Sequence, residues 1–336
     1  MAPRPSSLSK TPRELELQDP RGDVLADVLG VTLLRSALYK RVEGRAPWGL
    51  SIPEKPRAAF YLVARGSALL ELKGEKALSL SAGDVAFLPH GTAHTLRDSE
   101  TTPTRVVCDG APRAFGGARH IGGTGAPCSI IAGFFEREAG RVPVLLERMP
   151  NAVVVSPAES NVEPWLGATV QLILAESASD GPASALVLQR LADVLFVQVL
   201  RTLTRTRSNA CPKGLPALSD PLIHEALTLL HADVKARWTV ASLAKRVGVS
   251  RSAFAARFTD LVGEPPLQYL VRWRIARAAE LLRDTDDPIA DIATRIGYDS
   301  VPSFSNAFKR WKGTSPGAFR RAAQIAPVER DERRGG

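Results

Sequence analysis

The sequence predicts an α+β multidomain chain: an N-terminal antiparallel β-sandwich or small barrel, a helical segment, and an all-α C-terminal domain with tandem helix-turn-helix units. Three observations carry that prediction. Residues 239–320 state one supersecondary unit twice, the segment before residue 155 runs in short apolar stretches broken by Gly, Pro and Asp, and residues 163–203 change to helical spacing. A length of 336 residues exceeds one ordinary core and predicts two or three domains.

Composition narrows the class. Hydrophobic content of 44% with 24% charge is that of a soluble globular protein, and no run of about 18 apolar residues predicts a membrane-spanning helix. The first twenty residues, MAPRPSSLSKTPRELELQDP, lack the apolar core of a signal peptide, which predicts a cytoplasmic protein. Cys108, Cys128 and Cys211 are an odd number at irregular spacing, so reduced thiols are expected rather than a disulfide framework. The net charge of +9 points to an anionic partner. Residues 221–322 hold 16 Lys+Arg against 10 Asp+Glu, so +6 of that charge sits on the repeated third.

In chain order, residues 1–20 show no apolar periodicity and are expected to be a disordered arm. Asp23 to Leu34 has the apolar spacing of a short helix. The runs RAAFYLVARGSALLEL, KALSLSAGDVAFLPH and TRVVCD then read as antiparallel strands. Within them GDVAFLPHGTAH resembles the second signature of the cupin superfamily, with Gly83, Pro89, Gly91 and His94 at that superfamily's spacing. The resemblance implies a cupin-like jelly-roll sensor domain over residues 21–155.

Cupins that hold a metal usually add two histidines and a carboxylate from an earlier strand pair, whereas APWGLSIPEKPRAAFYLVARG contains no histidine and Tyr61 stands where one is expected. His90 and His94 alone do not make a metal centre, so neither a metal nor another cofactor is expected. Tyr39, Trp48, Phe60, Tyr61 and Phe87, together with His90 and His94, are instead candidates for an effector pocket. The alternative is that these aromatics fill the core. Cys108 and Cys128 are either small buried hydrophobes or a redox pair.

Residues 156–207 read as two helices, Glu163 to Glu176 and Pro182 to Leu203. The second carries a wide apolar stripe through Leu186, Val194, Leu195, Val199 and Leu203, which predicts closure of the β domain, a homodimer seam, or both. Residues 208–220 lose periodicity and read as a linker.

Residues 221–322 open with an Asp220-Pro221 cap. Val240, Leu243, Ala244, Arg246, Val247 and Gly248 recur 49 positions later as Ile289, Ile292, Ala293, Arg295, Ile296 and Gly297. After one inserted residue, Phe254, Phe258, Leu261, Gly263 and Pro266 recur as Phe304, Phe308, Trp311, Gly313 and Pro316. Helix, short Gly turn and capped helix make a helix-turn-helix, here with a bridging helix from Pro266 to Arg283 between two copies. Residues 323–336 are expected to be a disordered tail.

The stretches SLAKRVGVSRSAFAARFTDLVGEPPLQYLVRWRIARAAELL and IADIATRIGYDSVPSFSNAFKRWKGTSPGAFRR resemble the AraC/XylS family of transcription regulators over about 100 residues. The resemblance implies double-stranded DNA and RNA polymerase as partners, and activation. It places Arg251, Ser252, Ala255 and Ala256 of the first unit and Val301, Pro302, Ser305 and Asn306 of the second toward bases, with Arg257, Lys309 and Arg310 suited to phosphates. At Ala255 and Ala256 the family often has longer side chains, so the first unit is expected to read sparsely. The implied function is a DNA-binding regulator whose cupin-like domain senses a small molecule or oxidant. The alternative is a metal-dependent cupin enzyme carrying a DNA-binding domain.

Overall fold

The computed structural model describes residues 23–32, 35–107, 119–136, 149–157, 164–179, 181–205 and 216–325. The expected N-terminal arm, most of the C-terminal tail, Cys108, Cys211 and the Tyr39 side chain lie outside the described residues.

Helix α1 (Val24–Thr32) precedes a two-sheet β domain. The larger sheet has the order β11-β6-β3-β10-β1-β9, built from β1 (Arg35–Arg45), β3 (Arg57–Arg65), β6 (Val85–Leu88), β9 (Arg119–Gly122), β10 (Pro127–Glu136) and β11 (Val153–Val155). The smaller has the order β5-β4-β7-β2-β8, from β2 (Gly49–Ile52), β4 (Ser67–Leu72), β5 (Leu78–Ser81), β7 (His94–Arg97) and β8 (Arg105–Val106). Two edge pairs depart from the antiparallel expectation, because β9 runs parallel to β1 and β8 parallel to β2. Both are pairs between strands that are not consecutive in the chain, which frees them from the antiparallel direction a hairpin imposes.

Period-two alternation along β3 sorts its residues between two cores. Tyr61 and Val63 face the space between the sheets with Leu70, Leu80, Leu88, Leu96 and Ile130. Phe60 and Leu62 face the opposite way, onto α2 (Pro164–Ser177) and α3 (Ser184–Arg205), with Phe87, Ile131, Phe135, Leu166, Ile173, Leu195 and Phe196. The helical pair is therefore a third layer over the large sheet. Helix α2 buries Thr169 and Ile173 while Trp165 and Leu172 stay exposed.

Helices α4 (Pro216–Ser219), α5 (Pro221–Ala232), α6 (Val240–Arg246), α7 (Arg251–Val262), α8 (Pro266–Asp284), α9 (Ile289–Arg295), α10 (Val301–Lys312) and α11 (Pro316–Ile325) form the C-terminal part. The expectation of an unstructured linker through residue 220 is corrected over its last five residues. Pro216 opens a short helix whose Ala217 is fully buried, and Asp220 caps the next one. The expected tail is likewise corrected over its first three residues, because α11 continues to Ile325.

Gly133 on β10 shows how tight the helix-facing core is. A Cβ there would stand 2.1 Å from Phe60 Cε1, and the Phe60 ring is held against Phe135 at 5.6 Å between centroids. Gly133→Ala is expected to cost about 1–3 kcal/mol through overpacking, read as a lowered urea midpoint of the β domain.

Candidate nucleic-acid interface

Each of the two helix-turn-helix units is built by the same local chemistry. Ser250 and Ser300 have extended backbones, and their hydroxyls accept from the third amide of the following helix, Ala253 N at 3.3 Å and Ser303 N at 3.4 Å. The turns ahead of them pass through Gly248 at φ +74° and Gly297 at φ +85°, where a side chain would be strained. One face of each second helix is then buried: Phe254 and Phe258 in α7, Phe304 and Phe308 in α10, each pair edge-on at 5.6 Å.

Burying those faces fixes what remains outside. Arg251, Ser252, Ala256 and Arg257 of α7 are exposed and Ala255 is half-buried; Val301, Pro302, Asn306, Lys309 and Arg310 of α10 are exposed and Ser305 is half-buried. Arg257 is not an unengaged cation, since its guanidinium pairs with Asp220, the residue that caps α5. The Arg257 guanidinium holds the Asp220 carboxyl below its ordinary range, although burial opposes it. Lys309, Arg310 and Lys312 crowd the last turn of α10, where the helix dipole favours cations.

The units are coupled through α8. Arg274 donates from Nε to Val234 O at 2.8 Å and from Nη2 to Ala236 O at 3.1 Å, and lies 6.0 Å from the Tyr298 ring of the second unit. Arg272 lies 5.3 Å from the Trp311 ring and 3.7 Å from the buried carboxylate of Glu264. These ties hold two helices with exposed, partly cationic faces on one rigid support.

Residues 23–205 match a family model described as Cupin, and residues 243–322 match one described as Helix-turn-helix domain. The chain is 36% identical over 301 residues to an AraC-like transcription regulator of Streptomyces lividans, covering 89% of this chain and 98% of that one. It is 28% identical over 307 residues to the HTH-type transcriptional regulator AlkR of Acinetobacter baylyi, with 89% and 99% covered. Against the RCS-specific HTH-type transcriptional activator RclR of Escherichia coli, identity is 28% over 274 residues, with 80% and 86% covered. This chain belongs to the AraC-type transcription regulators.

In the cupin domain of this AraC-type regulator, the six candidate pocket residues with described side chains fall into separate groups. Phe60 and Phe87 face the helical layer, whereas Trp48 and Tyr61 are buried between the sheets. His90 Nε2 lies 2.7 Å from Met149 O, away from both groups. His94 Nδ1 lies 2.7 Å from Thr92 O, which only accepts, so Nδ1 carries the proton and Nε2 accepts from Tyr61 Oη at 2.7 Å. Both nitrogens are thereby engaged. The residue standing where a metal-binding cupin has a histidine is the hydrogen-bond partner of the one that remains. Among the described residues no group of three or more His, Cys, Asp or Glu side chains is placed to hold a metal. Cys128 is buried and its thiol is pushed up to about 11 by burial, with Glu43 and Asp98 adding to it, so it is the protonated form that sits in this core.

A connection absent from the sequence reading joins the regulator's halves. His231 of α5 places Nδ1 3.0 Å from the Asp27 carboxylate of α1 and Nε2 2.7 Å from Tyr269 Oη of α8, and its ring stacks on Trp273 at 3.8 Å. The carboxylate accepts, so the neutral ring donates from Nδ1 and accepts the phenol proton at Nε2. Burial holds His231 below its ordinary pKa of 6.5 while Asp27 pulls the other way, and burial lowers His94 too. The unfolded chain then binds protons before the folded one as pH falls below that value, so stability present at neutral pH is lost on acidification. Urea midpoints are expected to drop between about pH 7.5 and about pH 5.5, and the drop should shrink in His231→Gln.

Proposed function

We propose that this protein is a cytoplasmic, sequence-specific transcription activator whose cupin domain senses a small molecule or oxidant and biases how a homodimer engages double-stranded DNA and RNA polymerase. In this division of labour residues 21–155 sense, 156–207 dimerise and 221–322 bind DNA. The observation that carries the reading is the matched pair α7 and α10, buried on one face by two phenylalanines each and open on the other. A rigid pair of such helices suits successive major grooves about 34 Å apart.

The base-facing roles follow from side-chain chemistry. Arg251 bonds guanine, Asn306 adenine, and Val301 packs on a thymine methyl, with Ser252, Ala255, Ala256, Pro302 and Ser305 completing the contact. Lys309 and Arg310 take phosphates. Arg257 contributes less to that term than the other two, because its charge is already shared with Asp220. The names of the relatives, regulators in each case and an activator in one, support a regulatory rather than enzymatic reading. The engaged His94 and Tyr61 favour it too, since a metal would have to displace that pair.

The homodimer is assigned to the outer face of α2 and α3. There Trp165 is 71% exposed, Leu172 56%, Leu186 54% and Val194 45%, while the inner faces of the same helices are buried. Large apolar side chains clustered in water mark an interface, and a second copy supplies a matching surface under twofold symmetry. Val194→Asp with Leu172→Asp is expected to convert a dimer to a monomer in sedimentation; an unchanged dimer would place the seam elsewhere.

For DNA, binding measured against a genomic target and its point variants should show Asn306→Ala losing about 1–3 kcal/mol of discrimination at one base pair. Arg310→Ala should weaken all sequences alike and reduce the salt slope by about 1. Wild-type behaviour in both would remove α10 from the interface.

A further inference from the structure

The two parallel edge strands leave an opening that the regulator reading does not use. Strand β8 is one edge of the small sheet and β9 one edge of the large one, and residues of both line one opening. A cleft of about 720 Å3 lies there, within the size range of small-molecule sites. Its walls include Trp48, Leu50 and Ile121 beside Arg105 and Arg119.

Strand register places the charges. Paired residues on neighbouring strands share a face, and Arg119 pairs with Val42, itself opposite Ile130 of the inter-sheet core. Arg105 pairs with Leu50, which is opposite Leu96 of the same core. The two arginines, one from each sheet, therefore sit on the faces that look into the inter-sheet space, at its open side. Both are exposed, and neither makes an ion pair among the described residues. Glu43, the carboxylate that also lines the cleft, is already engaged by Arg41 at 2.6 Å and by the Ser129 hydroxyl at 2.8 Å. Behind the arginines the buried Trp48 and partly buried Ile121 make an apolar floor.

We propose that this cleft binds a small organic anion, with a carboxylate or phosphate held between Arg105 and Arg119 and an apolar body against Trp48, Leu50 and Ile121. Planar guanidiniums grip either group through paired N–H donors, and two of them on separate sheets make occupancy sensitive to the spacing of the sheet edges. The inference rests on the reading of this domain as a sensor and gives its ligand a chemical class. The rival occupant is a DNA phosphate, which the same charges would attract.

The test titrates the full chain, without DNA, with phenyl phosphate and phenylacetate by calorimetry, using 2-phenylethanol as the uncharged counterpart. Saturable binding of either anion at one site per chain is expected, with none for the alcohol. Arg105→Gln and Arg119→Gln should each weaken it about tenfold or more, the factor lost with one charge-assisted pair. Arg190→Gln, an exposed arginine on α3, should change nothing, and circular dichroism confirms folding of each variant. No saturable binding of either anion, or equal binding by folded Arg105→Gln/Arg119→Gln, would overturn the proposal. So would a double variant that loses non-specific DNA affinity while keeping the anion. A chain that binds the anion but no DNA would instead remove the regulator reading and leave the cleft assigned.

Discussion

Helix α1 belongs to two cores at once, and the join between the β domain and the helical C-terminal part depends on that constraint. Val24 and Val28 are buried against α5, α7 and α8, while Leu25 and Leu29, one position on, pack toward the core of the large sheet and α3. Asp27 then reaches His231, whose other nitrogen holds Tyr269. Apolar contact alone would let such a helix slide or rotate. The half-buried hydrogen bond from His231 to Asp27 fixes its register, because leaving the buried His231 unpaired in that site would cost roughly 1–3 kcal/mol.

The same constraint explains what could be read from the sequence and what could not. The duplicated units were legible because Phe254, Phe258, Gly248 and Pro266 each answer a local requirement of packing, turn or helix start, and the requirement recurs at Phe304, Phe308, Gly297 and Pro316. The β domain was legible as strands for the same reason. Its aromatics divide between two cores because Phe60 and Tyr61 are adjacent on one strand and must face opposite ways, a parity the sequence does contain. The partner of Asp27 was not legible, since 204 residues separate it from His231 and only the tertiary fold brings them together.

The two DNA-reading units are consequently unequal in attachment as well as in surface. The core of the first includes α1 residues Val24 and Val28 and Ala217 of α4, so elements outside the repeat help to build it. The core of the second is drawn from residues 275–319 alone. Arg257 repeats the contrast on the surface: it ties α7 back to Asp220 at the entrance to the domain, whereas Lys309 and Arg310 of α10 have no counterpart tie to the β domain among the described residues. Any displacement of the cupin domain that travels through these contacts arrives first at the unit whose core α1 enters.

That arrangement separates two tasks on physical grounds. Sequence discrimination needs bonding groups held at fixed positions, and α10 offers Asn306 and Ser305 on a unit whose core no sensor element enters. Control needs a surface whose placement changes with another part of the molecule, and α7 is packed in one continuous core with α1. The link between the two is α8, where Arg274 and Arg272 bond or stack with both sides. A displacement of α1 that reached α10 would have to pass through that helix, and a bound ligand would act on it only by as much as it prefers one placement of α1 over another.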